Sequence, residues 1–143
     1  MSRVRVLVVD DDPDIYEMLH AFADVHPLIE LIGHAVCPED AMSISRVNRP
    51  DVILLDHNFP QANRGASDDL PFATSRRLTG LEAVQYLRSA APDAIIAMYT
   101  GAAGLDISAR NAGADLYLQK GTDPIIVLDE VARRTLSRTA RES

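Results

Sequence analysis

The chain has 143 residues, enough for one domain with a core that needs no disulfide support. Its 47% hydrophobic and 24% charged residues exclude disordered, collagen-like and coiled-coil classes. A net charge of −7 argues against direct nucleic-acid binding, no apolar run approaches the ~20 residues of a membrane span, and a single cysteine, Cys37, read as a small packing residue, fits a cytoplasmic setting.

Val4-Arg5-Val6-Leu7-Val8-Val9 is short and β-branched, the pattern of a buried strand; too short for a signal peptide, it runs straight into Asp10, Asp11 and Asp12. Asp12-Pro13 reads as an N-cap followed by proline at the first helical position, with Ile15, Met18, Leu19 and Phe22 at helical spacing. Residues 28–32 read as a second strand ended near Gly33, and residues 38–47 as a second helix with Ala41 and Ile44 inward. Residues 51–55 are a third strand, ending in Asp56. The stretch 61–79 then breaks the rhythm: it is polar, carries Gly65, Pro71 and Asp68-Asp69, and is long for a connection inside a compact domain. Leu81, Val84 and Leu87 mark a third helix; residues 94–99 are a fourth strand ending in Thr100-Gly101; a fourth helix lies between Gly104 and Gly113. Leu116-Tyr117-Leu118 lies in a fifth strand ending at Lys120, and Thr122 or Asp123 caps a last helix with Pro124 in its first turn. The polar residues 138–143 are expected to fray.

Five strands alternating with five helices imply an α/β domain with a parallel sheet covered on both faces, and such sheets carry their functional groups beyond the C-terminal ends of the strands. Those ends supply Asp10, Asp11, Asp12, Asp56, Thr100 and Lys120, the only lysine in the chain. Carboxylates crowded into one crevice repel unless a cation screens them, and hard oxygen ligands suit Mg²⁺. A carboxylate nucleophile, a hydroxyl, an ammonium and Mg²⁺ together make a phosphoryl-transfer set.

Val6-Leu7-Val8-Val9-Asp10-Asp11-Asp12-Pro13, the run from Asp51 to Asp56 with Pro60 four residues on, Ala97-Met98-Tyr99-Thr100-Gly101, and the run from Gly113 to Lys120 resemble the receiver domain of two-component response regulators over nearly the whole chain. The resemblance implies a flavodoxin-like doubly wound sheet of order 2-1-3-4-5, residues 1–143 forming a single domain with an insertion at 61–79. It implies Asp56 as phosphoacceptor, Asp10, Asp11 and Asp56 as Mg²⁺ ligands with the backbone carbonyl of Asn58, Thr100 and Lys120 as the catalytic hydroxyl and phosphate-pairing amine, and Thr100 and Tyr117 as switch residues. Lys120 and Thr100 are expected to act during or after phosphorylation rather than in folding. A histidine kinase or histidine phosphotransfer protein and a downstream protein target are the implied partners, with room for a homodimer, and no separate substrate is expected to be turned over. Two features depart from the pattern: Gly121 stands where the family carries proline after the lysine, and the stretch before Gly80 is long. A haloacid-dehalogenase-type phosphohydrolase with Asp10 as nucleophile is the alternative, Asp10 and Asp12 meeting its D-x-D spacing, but Pro13 and the lack of a later acidic pair speak against it. A flavin-binding carrier of the same fold would want a hydroxyl- and glycine-rich loop where the three aspartates stand.

Overall fold

The structure, a computed structural model, describes residues 3–59 and 78–142. The elements are β1 (Val4–Val9), α1 (Pro13–Asp24), β2 (Ile29–Ala35), α2 (Pro38–Asn48), β3 (Val52–Leu55), α3 (Gly80–Ala90), β4 (Ile95–Thr100), α4 (Asp106–Ala112), β5 (Leu116–Gln119) and α5 (Pro124–Glu142). The strands form one five-stranded parallel sheet in the order β2-β1-β3-β4-β5, as expected.

The near-continuous apolar runs of β1, β3 and β4 are explained by burial on both faces. Alternate residues part to opposite sides. Val6, Val8, Leu54 and Tyr99 join Leu19 of α1 and Leu128 and Val131 of α5 in one core. Leu7, Val9, Ile53, Leu55 and Met98 join Ala41 of α2, Val84 and Leu87 of α3 and Ala109 of α4 in the other. Each buried Val, Leu, Ile or Met side chain contributes about 1.5–3 kcal/mol by leaving water, so the central strands are firmly held. Away from the strand ends, Arg88 of α3 donates to the carbonyls of Ala94 and Gly113 and pairs with Asp115, fastening the N-terminal ends of β4 and β5.

One expectation is corrected. Strand β2 does not stop at Gly33 but continues to Ala35, with a register shift opposite Val6/Leu7. Gly33 is there for packing: a Cβ would lie 3.4 Å from Leu7 Cδ1. Residues 138–142 continue α5, with no glycine or proline after Leu136 to interrupt the helix. The insertion at 61–79 lies outside the described residues except Leu78, which packs on the second core, and Thr79, which belongs to α3 as its N-cap.

Candidate functional site

Register alone brings the acidic residues together. Val9 of β1 is the parallel partner of Leu55 of β3, so Asp10 and Asp56 leave adjacent strands side by side, the Asp56 N–H donating to the Val9 carbonyl at 3.0 Å. Thr100 of β4 pairs with Gln119 of β5, and the Lys120 N–H donates to the Thr100 carbonyl at 2.9 Å. From there the Lys120 side chain reaches across the end of β4 to both carboxylates. Its Nζ is 2.7 Å from Asp10 Oδ2 and 3.1 Å from Asp56 Oδ2.

Each carboxylate is oriented by backbone. Asp56 Oδ1 accepts the His57 N–H at 2.7 Å, and Asp10 Oδ1 accepts the Asp12 N–H at 2.9 Å. Asp12 itself caps α1, accepting the Asp14 N–H at 2.9 Å, so it is spent on the helix and does not serve a D-x-D pair. Asp10 and Asp56 are only 2% and 6% exposed. Burial holds the Asp10 carboxyl above the ordinary carboxylate range, against the opposing hydrogen bond from Lys120. Burial also works against the Lys120 ammonium, but the two carboxylates outweigh it and its pKa lies above the ordinary lysine value. The partners differ because Lys120, 21% exposed at its side chain, keeps some water and faces two opposite charges, whereas Asp10 keeps almost no water.

One ligand atom from each of Asp10, Asp11 and Asp56 lies within 4.8 Å of the others, and Asp10 Oδ2 is shut from solvent with the Lys120 ammonium 2.7 Å away. Three hard carboxylate oxygens converging in one crevice are a set that fits a hard divalent cation. The crevice they form, about 630 Å³ and open to solvent, is lined also by Asp12, Pro13, Asn58, Phe59 and Lys120. Asp10→Asn should therefore raise the melting temperature at pH 7 in chelator. The sign follows from the raised pKa: a buried carboxyl that binds its proton more tightly when folded stabilises below its unfolded pKa and loses that contribution as pH rises through the folded one. Thermal melts at pH 7 and pH 4 check this: the gain at pH 7 should fade at pH 4.

The expected site residues separate into two groups. Asp10, Asp11, Asp56, Asn58 and Lys120 share the crevice. Thr100 and Tyr117 do not line it; they are tied to each other through Ala102, whose N–H donates to Thr100 Oγ1 at 3.2 Å and whose carbonyl accepts the Tyr117 hydroxyl at 2.8 Å. Lys120 holds two ion pairs in this structure, one to each buried carboxylate. Gly121 has φ +101° and the Thr122 N–H donates to the Gln119 carbonyl at 3.2 Å, so Lys120-Gly121 forms the centre of a turn with glycine at the position that type II turns require. A proline, fixed near φ −65°, does not fit that turn.

Two contributors were missed by sequence reading. Gly80, at the start of α3, donates its N–H to the His57 carbonyl at 2.8 Å, and a Cβ on it would stand 2.0 Å from the Asp56 carbonyl oxygen. The signal was present in Thr79-x-x-Glu82, a capping-box spacing directly around the glycine, and both of its hydrogen bonds form. His34 donates from Nε2 to the Asp10 carbonyl at 2.7 Å; nothing in the spacing of β2 points to it. His57 accepts the Leu81 N–H at Nδ1 (3.4 Å) and so belongs to the seat of α3.

No family model matches the chain. It is 28% identical over 134 residues to the nitrate/nitrite response regulator protein homolog of Haemophilus influenzae, a match covering 92% of this chain and 57% of that protein. It thus spans little more than half of that relative, and a smaller part of the protein-glutamate methylesterases it also matches. Among solved structures, the CheY-like response regulator receiver domain protein of Methanospirillum hungatei superposes with a TM-score of 0.77 at 22% identity, covering 99% of this chain and all of that one. A Burkholderia pseudomallei response regulator, solved with a phosphorylated aspartic acid and a calcium ion, superposes with a TM-score of 0.69 at 21% identity, covering 97% of this chain and 72% of that one. Nothing among these relatives supports a haloacid-dehalogenase-type enzyme. The sequence relatives and the fold agree: the homologues and structure neighbours of this chain are response regulator receiver domains.

Proposed function

We propose that this single receiver domain is a phosphorylation-controlled switch whose acceptor is Asp56. The observation that carries the reading is the setting of that carboxylate: at the end of β3, in an open crevice, with Oδ1 held by the His57 N–H and Oδ2 facing Lys120. A carboxylate oxygen of Asp56 attacks the phosphorus of a phosphohistidine on a partner kinase or phosphotransfer protein; the P–N bond breaks and the imidazole leaves with a proton. Asp10, Asp11, Asp56 and the Asn58 carbonyl are the groups that would hold Mg²⁺. When bound, that ion supplies positive charge to the phosphoryl oxygens. Lys120, released from part of its pairing with Asp56, binds the added phosphoryl group. Thr100 and Tyr117, joined through Ala102, form the element that changes state, moving the surface a downstream protein reads. No helix among the described residues is long and apolar enough to cross a membrane, and we place the domain in the cytoplasm with its kinase partner.

Intact-mass measurement after incubation with acetyl phosphate and Mg²⁺ tests the proposal. One phosphoryl group should be added, none in chelator and none in Asp56→Asn. Labelling of Asp56→Asn to the wild-type level would assign the acceptor elsewhere.

A further inference from the structure

Strand β1 ends at Val9, and the Asp10 N–H still completes the ladder by donating to the Ala35 carbonyl at 2.9 Å. The next carbonyl, that of Asp10, is taken by a side chain: His34 Nε2 lies 2.7 Å from it. A carbonyl only accepts, so Nε2 carries the proton. The His34 ring is itself held, stacked on Tyr16 of α1 with centroids 4.4 Å apart and planes 4° from parallel. The register shift in β2 pairs His34 with Val8, whose side chain faces the α1 side of the sheet, where Tyr16 also packs.

The Asp10 carbonyl and the Asp11 N–H belong to one peptide plane, and planar peptides turn as units. Both carboxylates of the acidic pair hang from the ends of that plane. We infer that His34, locked by Tyr16, is a positioning residue that fixes the Asp10–Asp11 peptide and thereby sets both carboxylates for the cation. The inference rests on the metal reading proposed above. It gives the pair an outer partner of the kind that metal ligands use, acting here through main chain instead of directly on a ligand atom.

Calorimetric Mg²⁺ titration of the full chain at pH 8, together with the ¹⁵N–¹H amide signal of Asp11 in chelator, tests it. His34→Ala should raise the Mg²⁺ Kd about tenfold, the lower end for loss of an outer partner, and shift the Asp11 amide signal before any metal is added. His34→Gln, which retains an N–H donor, should move both readouts back toward wild type. Tyr16→Phe, which keeps the stack, should match wild type, and Tyr16→Leu should weaken Mg²⁺ binding. Should His34→Ala fail to fold, the Tyr16 pair supplies the same contrast. An unchanged Kd in His34→Ala with normal Mg²⁺ binding by wild type overturns the positioning role alone, as does a loss that His34→Gln does not relieve. Absence of Mg²⁺ binding by wild type overturns the metal reading instead, and the Asp11 amide signal in His34→Ala then decides whether the clamp on the peptide exists.

Discussion

Gly80→Ala should lower the unfolding free energy by about 3 kcal/mol, the upper part of the usual range for overpacking, and the melting temperature by roughly 10 °C for a chain of this size. Helix propensity alone points the other way, since alanine is better than glycine in a helix by up to ~1 kcal/mol. Space decides the sign. The new Cβ would stand 2.0 Å from the Asp56 carbonyl oxygen and 2.7 Å from the His57 Cα, and neither atom is the free end of a flexible side chain. Both belong to backbone just beyond a fully buried strand. The start of α3 must therefore lift, breaking the Gly80 N–H bond to the His57 carbonyl and straining the His57 N–H that orients Asp56 Oδ1. Urea unfolding measures the first effect and acetyl phosphate labelling the second; both should fall together. A variant as stable as wild type would mean that α3 is seated more loosely than its contacts indicate.

Lys120→Met should cost about 2 kcal/mol at pH 7 in chelator. Removing one partner of a fully buried ion pair costs about 3–5 kcal/mol, and water entering the open crevice reduces that figure. Asp10 and Asp56 would be left facing each other with no cation between them. The pH dependence follows from the directions of the shifts. In wild type the Lys120 pKa is raised, so its contribution is complete below about 10.5 and is lost only as pH rises through the higher folded value. The Asp10 carboxyl is also raised, so the folded state gains as pH falls and Asp10 takes up its proton. The difference between variant and wild type should thus shrink from pH 7 toward pH 4, and millimolar Mg²⁺ should stabilise the variant more than wild type. Denaturant melts across that range test it, and a gap that widens on acidification would contradict the assignment.

The central strands were legible because burial on both faces leaves an unmistakable apolar run, and with them came the order of chemistry at their ends: Asp10, Asp56, Thr100 and Lys120. What the sequence hid is contact that depends on a third element. Gly33 looked like a stop because glycine punctuates turns, yet it lies inside β2 against Leu7. His34 carries no signal in the sequence because its two partners, the Asp10 carbonyl and the Tyr16 ring, sit on other elements. For Lys120 the residue type shows what it can bind but not that two carboxylates hold it. Residues 138–142 are polar yet lie in α5, because polarity alone does not end a helix.

That the sole lysine of the chain sits between Asp10 and Asp56 has a practical consequence. Protein grown on isotopically labelled lysine carries its label at one side chain, and that side chain is in the crevice. Its spectrum should hold a single side-chain ammonium signal with no overlap to resolve. The position of that one line would follow the loss of a carboxylate partner, the arrival of a divalent ion and the transfer of a phosphoryl group, each read directly at the atom that experiences it.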